Sequence, residues 1–228
     1  KYYIKFFNIV FVTAQTDLQH LIQKYKKYSH LKWDIIYNFP INIEIDIPAA
    51  IHQKFNIALK YKIICYQGVI QEGRGLQQLL LVIKNSTHLA CLIIGSGEGK
   101  KKYQNLASQY NITNRVFFMT RVPYLSLFRY TAACDVGWAV IKSQSLSNRF
   151  ALPNKVFEYG IMNLPIIASR LPNLVGLFGQ YKLGRLVDEQ DTLEQIQAID
   201  ELIAKSYNYK EVVVKYFTWE KQKNKFIA

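Results

Sequence analysis

The stretch YKIICYQGVIQEGRGLQQLLLVIKNSTHLACLIIGSGEG, residues 61–99, decides the fold. KIICYQG is an unbroken apolar run that ends at Gly68. Its lack of polar alternation predicts a strand buried on both faces. RGLQQLLLVIK, residues 74–84, reads as a helix, and LACLIIG is a second apolar run ending at Gly95. Gly97 and Gly99 follow at once. Strand, turn, helix, strand and glycine-rich turn make the βαβ unit of a parallel sheet.

The alternation continues downstream. KKYQNLASQY predicts a polar amphipathic helix, RVFFMT a strand, and residues 123–133 a helix. Asp135–Val140 predicts a short strand, 153–162 a helix, and Pro165–Ala168 a strand. Gly184–Val187 reads as a last strand, 191–205 as a helix, and the tail 209–226 as helical. Upstream, NIVFVTA (residues 8–14) and WDIIY (33–37) read as strands, with a helix between them opening at Thr16-Asp17. Residues 41–60 have weak periodicity, with Pro40 before them and Pro48 within, and read as a linker. The fold class is α/β, a doubly wound Rossmann-like parallel sheet.

Half of the 228 residues are hydrophobic, ample for one good core. A 14% aromatic content excludes a disordered chain. Cys65, Cys91 and Cys134 stand far apart with no CxxC pair, so neither a disulfide framework nor a zinc knuckle can be read, and a reducing, cytoplasmic setting follows. The net charge is +13, and both ends are more basic than the middle. Such a surface attracts nucleic acid, an anionic membrane or a phosphorylated substrate. No RNA-binding signature or DNA-reading basic helix accompanies it, so no nucleic-acid partner is expected. A composition rich in Lys, Ile, Asn and Tyr gives the same charge with no function attached. Phe6–Ala14 is far too short for the roughly 20 residues of a membrane span, and no signal peptide is visible. With no initiator Met, the chain reads as a fragment.

In doubly wound sheets ligands bind beyond the carboxyl ends of the strands. Those ends here are Gly68, Gly95, Thr120-Arg121, the loop 141–152 and Ser169-Arg170. Gly95-Ser96-Gly97 can bring backbone close to a ligand, although a plain βα turn has the same composition. Arg74 at a helix start opposes the helix dipole unless an anion lies nearby; a solvated arginine is the plainer alternative. LPNKVFEY, residues 152–159, is the most specific segment. Pro153 suits the first helical position, and Lys155 and Glu158 share a face. A cation, a carboxylate and free backbone N–H groups suit a diphosphate and a sugar hydroxyl. A surface ion pair has the same spacing.

The run from Tyr66 onward resembles the C-terminal, donor-binding domain of GT-B glycosyltransferases of the retaining family 4 type. YQGVIQEGRGLQQLL is similar to that family's first strand-turn-helix, and LIIGSGEGKKKYQNLA to its glycine turn and helix. NRVFFMTRVPYLSLFRYTAACDVGWAVI and LPNKVFEYGIMNLPIIAS resemble its two following blocks, and LGRLVDEQDTLEQIQAI and FTWEKQ its closing segments. About 160 residues are covered. The resemblance makes residues 1–40 the remnant of an acceptor domain, 41–60 a linker, 61–206 the donor domain and 207–228 a C-terminal helix.

The resemblance implies a nucleotide-activated sugar as donor substrate, a glycan or lipid-linked acceptor, and transfer with no metal or other cofactor. It places Arg74 on the diphosphate, Glu158 on the ribose, and Thr120, Arg121 and Val122 at the nucleobase. Gly68, Gly95 and Gly97 form the turns beside them, and Asn148, Arg149, Phe150, Ala151 and Leu152 the loop over sugar and phosphates. Two positions depart from the pattern. Phe150 stands where a first glutamate is expected, so Asn148 or Arg149 would supply the sugar contact. Val69 stands where an arginine often sits, so Lys155 or Arg149 would replace its charge. Asn163 replaces a glycine after the helix, a mild change because Asn tolerates the left-handed conformation. No catalytic acid or base stands out; His20, His30, His52 and His88 are scattered, and Glu44-Ile45-Asp46 is no convincing metal site.

The expected function is therefore transfer from a nucleotide sugar, with the fragment alone inactive. The alternatives are a non-catalytic scaffold of the same fold, a sugar-nucleotide epimerase and a nucleic-acid binder. The basic ends fit peripheral contact with the inner face of a membrane.

Overall fold

The computed structural model describes residues 6–28 and 30–227. Strand β1 (Ile9–Val12), helix α1 (Gln15–Lys24) and strand β2 (Lys32–Ile35) come first, then the single turn α2 (Ile51–Lys54). The main unit follows as β3 (Lys62–Gln67), α3 (Leu76–Asn85), β4 (Leu89–Ile94), α4 (Lys100–Gln109), β5 (Val116–Met119), α5 (Tyr124–Thr131) and β6 (Val136–Ala139). It closes with α6 (Leu146–Arg149), α7 (Asn154–Ile161), β7 (Ile166–Ser169), α8 (Pro172–Gln180), β8 (Gly184–Val187), α9 (Thr192–Ile203), α10 (Tyr209–Tyr216) and α11 (Trp219–Ile227).

Six strands form one parallel sheet in the order β5-β4-β3-β6-β7-β8. The expected doubly wound α/β fold is the observed one. The order reverses between β3 and β6, which makes their junction the switch point. β3 pairs with β4 along its whole length, from Lys62↔Leu89 to Gln67↔Ile94. With β6 it pairs only at Ile64↔Val136 and Cys65↔Gly137. Beyond those pairs the two strands part, and a crevice lies beside them at the carboxyl ends of β3, β4 and β5.

Both faces of the sheet are covered. Ile63 and Cys65 face one apolar layer with α5, α7, α8 and α10. Ile64 and Tyr66, the alternate residues, face a second layer with α3, α4 and α9. This double burial is why the strands read as continuous apolar runs. Each fully buried aliphatic side chain contributes about 1.5–3 kcal/mol, an upper estimate for a compact unfolded chain.

Several details differ from the sequence reading. Residues 41–60, read as a linker, carry Ile51 and Ile57 buried in the first layer. The tail is two helices, broken at Phe217-Thr218, not one. Helix α8 has no counterpart in the reading; Pro172 opens it, but Gly176 and Gly179 weaken its helical signal. Pro153 lies at the N-cap of α7, one residue before the expected first turn position. Asn163 does take the left-handed conformation, φ 61°, and its Oδ1 accepts from the Lys210 N–H at 3.2 Å.

β1 and β2 form a separate two-stranded parallel sheet. Helix α11 returns to it: the Gln222 carboxamide accepts from the Tyr37 N–H at 2.9 Å and donates to the Tyr37 carbonyl. Among the described residues no helix is long and apolar enough to cross a membrane.

Candidate functional site

The crevice floor is built from glycine turns. Gly68, φ 134°, ends β3, and its N–H donates to the Ile94 carbonyl at 3.0 Å. A side chain at Gly95 would place its Cβ 1.9 Å from the Gly68 carbonyl oxygen, so the two turns can meet only through a glycine. Gly97 abuts the Ile70 carbonyl in the same way and is exposed.

Above this floor lies a cavity of about 330 Å³. Gly68, Gly95, Arg121 and Val122, all expected site residues, line it, together with Ser96 and Tyr124. Thr120 is exposed beside Arg121 at the end of β5. Tyr124 and Ser96 were missed by the sequence reading.

Two charged side chains approach from α7. The Lys155 ammonium sits 3.9 Å from the centroid of the Tyr66 ring, a cation–π geometry. It lies 3.7 Å from where a Cβ on Gly68 would be, so it stands directly behind the crevice turn. Burial, and then the Arg74 charge, push it down to about 7, with Glu158 acting the other way. Glu158 is held by Gln67, whose Nε2 donates to its Oε2 at 2.5 Å, and by the Tyr124 hydroxyl. Burial pushes the Glu158 carboxyl above its usual range, while the Gln67 and Tyr124 hydrogen bonds and the Lys155 charge oppose that shift. Burial and the neighbouring Glu158 raise the Tyr124 phenol, which keeps it protonated as a donor. Lys155 and Glu158 thus do not form the surface ion pair their spacing allowed; each turns inward to its own partners.

Arg74 reaches the same region from the turn before α3. Gly75, φ 71°, is fixed there because its carbonyl accepts from the Trp138 indole at 3.2 Å, and a Cβ on it would strike the Val140 carbonyl at 2.0 Å. The loop 141–152 meets this turn: the Lys142 N–H donates to the Gly73 carbonyl at 3.0 Å, and Asn148 Nδ2 donates to the Lys142 carbonyl at 3.0 Å. Asn148 thus stands beside the turn that carries Arg74, its Nδ2 3.0 Å from where a Cβ on Gly73 would be. Arg149 is exposed. Phe150 is half-buried, its ring 5.8 Å from that of His20 and its carbonyl accepting from Asn173 at 2.8 Å. Ala151 and Leu152 pack against the core layer under α7. Among the described residues no group of three or more His, Cys, Asp or Glu is arranged to hold a metal ion.

A glycine-lined crevice at the carboxyl ends of β3, β4 and β5 in a six-stranded, doubly wound parallel sheet defines a Rossmann-like domain. The chain belongs to the glycosyl transferases group 1 family, whose model matches residues 49–217. No curated protein sequence matches it significantly. Among solved structures it is similar to sucrose-phosphate synthase from Thermosynechococcus elongatus, with TM-score 0.75 and 21% identity, covering 96% of this chain and 57% of that one. It is similar to HepE from Anabaena, solved with UDP and glucose, with TM-score 0.77 and 15% identity over 96% of this chain and 62% of that one. The pneumococcal O-GlcNAc transferase GtfA, solved with UDP and GlcNAc, gives TM-score 0.67 and 14% identity over 96% and 44%. At these identities the likeness is one of fold. The fold is that of the C-terminal domain of GT-B glycosyltransferases, and the chain spans less than two thirds of each of these relatives.

Proposed function

We propose that this chain binds a nucleoside-diphosphate sugar in the crevice at the carboxyl ends of β3, β4 and β5, and that the protein it belongs to transfers the sugar to a glycan or lipid-linked acceptor. The observation that carries the proposal is Lys155 beside the Gly68 turn, within reach of the Arg74 and Glu158 charges. Two cations so close repel each other, and a diphosphate relieves that repulsion. The base occupies the cavity between Arg121, Val122 and Tyr124, and Glu158 accepts from the ribose hydroxyls. Arg74 and Lys155 neutralise the departing diphosphate, so catalysis rests on positioning and electrostatics, with no metal or other cofactor required. Retention at the sugar carbon is part of the proposal and rests on the family resemblance. A binding-only module is the second reading, motivated by Phe150 and Val69 standing where the family pattern has a glutamate and an arginine.

Calorimetric titration with UDP-, GDP- and ADP-sugars tests the binding step. One of them should bind, and Arg74→Ala and Glu158→Ala should each weaken it by about 10- to 150-fold, the loss of a charge-assisted hydrogen bond. Absence of binding to all three would overturn the proposal. Transfer assays on the longer protein separate the two readings, since the second expects no product.

A further inference from the structure

After Lys62, β3 is apolar until its last residue, Gln67, which is buried. A buried primary amide is costly unless both its ends are paired. Here both are. Its Nε2 donates to Glu158, and its Oε1 accepts from the Thr131 hydroxyl at 2.7 Å. Thr131 is itself fully buried at the end of α5. The Leu127 carbonyl, at 3.1 Å, is a second acceptor for the same hydroxyl proton, and the shorter contact is the one to Gln67. An apolar residue at position 67 would suit the surrounding core layer without this network. The line Thr131–Gln67–Glu158 instead runs from the back of α5 across the strand end and stops at one carboxylate.

The direction of the line is fixed by chemistry. A carboxylate can only accept, so the amide nitrogen must face Glu158 and the amide oxygen must face Thr131. Thr131 therefore sets the amide plane, and the amide sets Glu158. Tyr124, from the cavity wall, supplies a second donor to the same carboxylate. A glutamate held in advance spares the ligand the cost of ordering a flexible side chain.

We propose that Gln67, oriented by Thr131, is a positioning residue that presents the Glu158 carboxylate to the ribose hydroxyls of the bound nucleotide. The inference rests on the donor-site reading above. It gives Gln67 no contact with the ligand; it acts through Glu158.

The test compares UDP, GDP and ADP with their 2′-deoxy and 3′-deoxy forms by calorimetry. In the wild-type chain the deoxy forms bind more weakly, and Glu158→Gln sets the floor of that discrimination. Gln67→Leu should weaken the ribonucleotide by about tenfold and the deoxynucleotides by less than about twofold, so that discrimination falls to the Glu158→Gln level. Thr131→Val should move the ratio the same way, and Thr131→Ser should restore it. This pair also carries the test if Gln67→Leu does not fold. An equal loss for ribo and deoxy forms, or an unchanged ratio, overturns the positioning role while leaving the donor site standing. Failure of the wild-type chain to bind any of the nucleotides overturns both.

Discussion

Lys155 is the residue where pH should act most directly. Its ammonium faces the Tyr66 ring from β3, Arg74 from the turn before α3, Glu158 on its own helix and the buried Cys65. Burial and Arg74 bring it from 10.5 to about 7 in the free protein. A diphosphate placed beside it raises it again, so binding takes up a proton above pH 7. Donor affinity should then fall by up to about tenfold per pH unit as pH rises from 7. Folding stability has the opposite sign. The unfolded chain holds more protons than the native one between about 7 and 10.5, so this lysine's contribution to stability rises over that window. Proton uptake measured by calorimetry in buffers of different ionisation enthalpy checks the first effect. Lys155→Met should abolish it, and an unchanged pH profile in that variant would refute the assignment. The sequence shows that Lys155 and Glu158 share a helix face, but spacing does not say whether that face is wet or buried. Gln67 is visible as the one polar residue ending an apolar run, yet nothing in the sequence tells that its partners lie 64 and 91 positions away. Those contacts exist only once α5 and α7 pack against β3.

Among the elements, α7 is joined to the switch point through one hydroxyl. Where β3 and β6 stop pairing, the Tyr159 hydroxyl accepts from the Gln67 N–H at 3.1 Å and donates to the Cys65 carbonyl at 3.0 Å, with the Trp138 carbonyl at 3.3 Å. It closes the ladder that the diverging strands leave open. Gly137 makes room for the ring; a Cβ there would lie 2.3 Å from it. Tyr159→Phe removes a buried partner from backbone groups of β3, which costs about 1–3 kcal/mol. Thermal unfolding should shift down by about 2–4 °C per kcal/mol for a chain of this size. Because α7 carries Lys155 and Glu158, nucleotide affinity should drop with it. Calorimetry and melting on the same sample check both, and full stability in the variant would show that the strands close without this hydroxyl. The strands and long helices were legible because each buries a continuous or periodic apolar set. The turn α6 and helix α8 were not: one is four residues long, and the other carries two glycines among its nine residues. Their order comes from contacts such as the Asn173 bond to Phe150, which local sequence does not encode.

At the scale of the whole molecule, the N-terminal unit depends on the main one. β1 and β2 are four residues each, and α1 has no fully buried residue. Among the described residues these two short strands and half-exposed helix bury little surface of their own. Their order is supplied from outside. Asn173 on α8 donates to the Thr16 hydroxyl at 2.7 Å, and Gln222 on α11 takes both backbone groups of Tyr37. The Trp219 N–H donates to the Pro40 carbonyl at 2.8 Å, which fixes where α11 begins against the same segment. The chain therefore leaves the β1–α1–β2 unit, builds the six-stranded sheet, and returns through α11 to the segment 37–40 that joins them. Hydrogen exchange should show this as two levels of protection: fast for residues 9–36, slow for β3, β4 and β6. Gln222→Ala leaves the Tyr37 N–H and carbonyl without their partner and should cost about 1–3 kcal/mol, felt in the N-terminal unit alone. Exchange in residues 9–37 should then quicken by about 5- to 150-fold, while sheet protection and nucleotide affinity stay as they are. If the sheet loses protection by the same factor, the chain opens as one cooperative body, and the dependence of the N-terminal unit on α11 is not a local one.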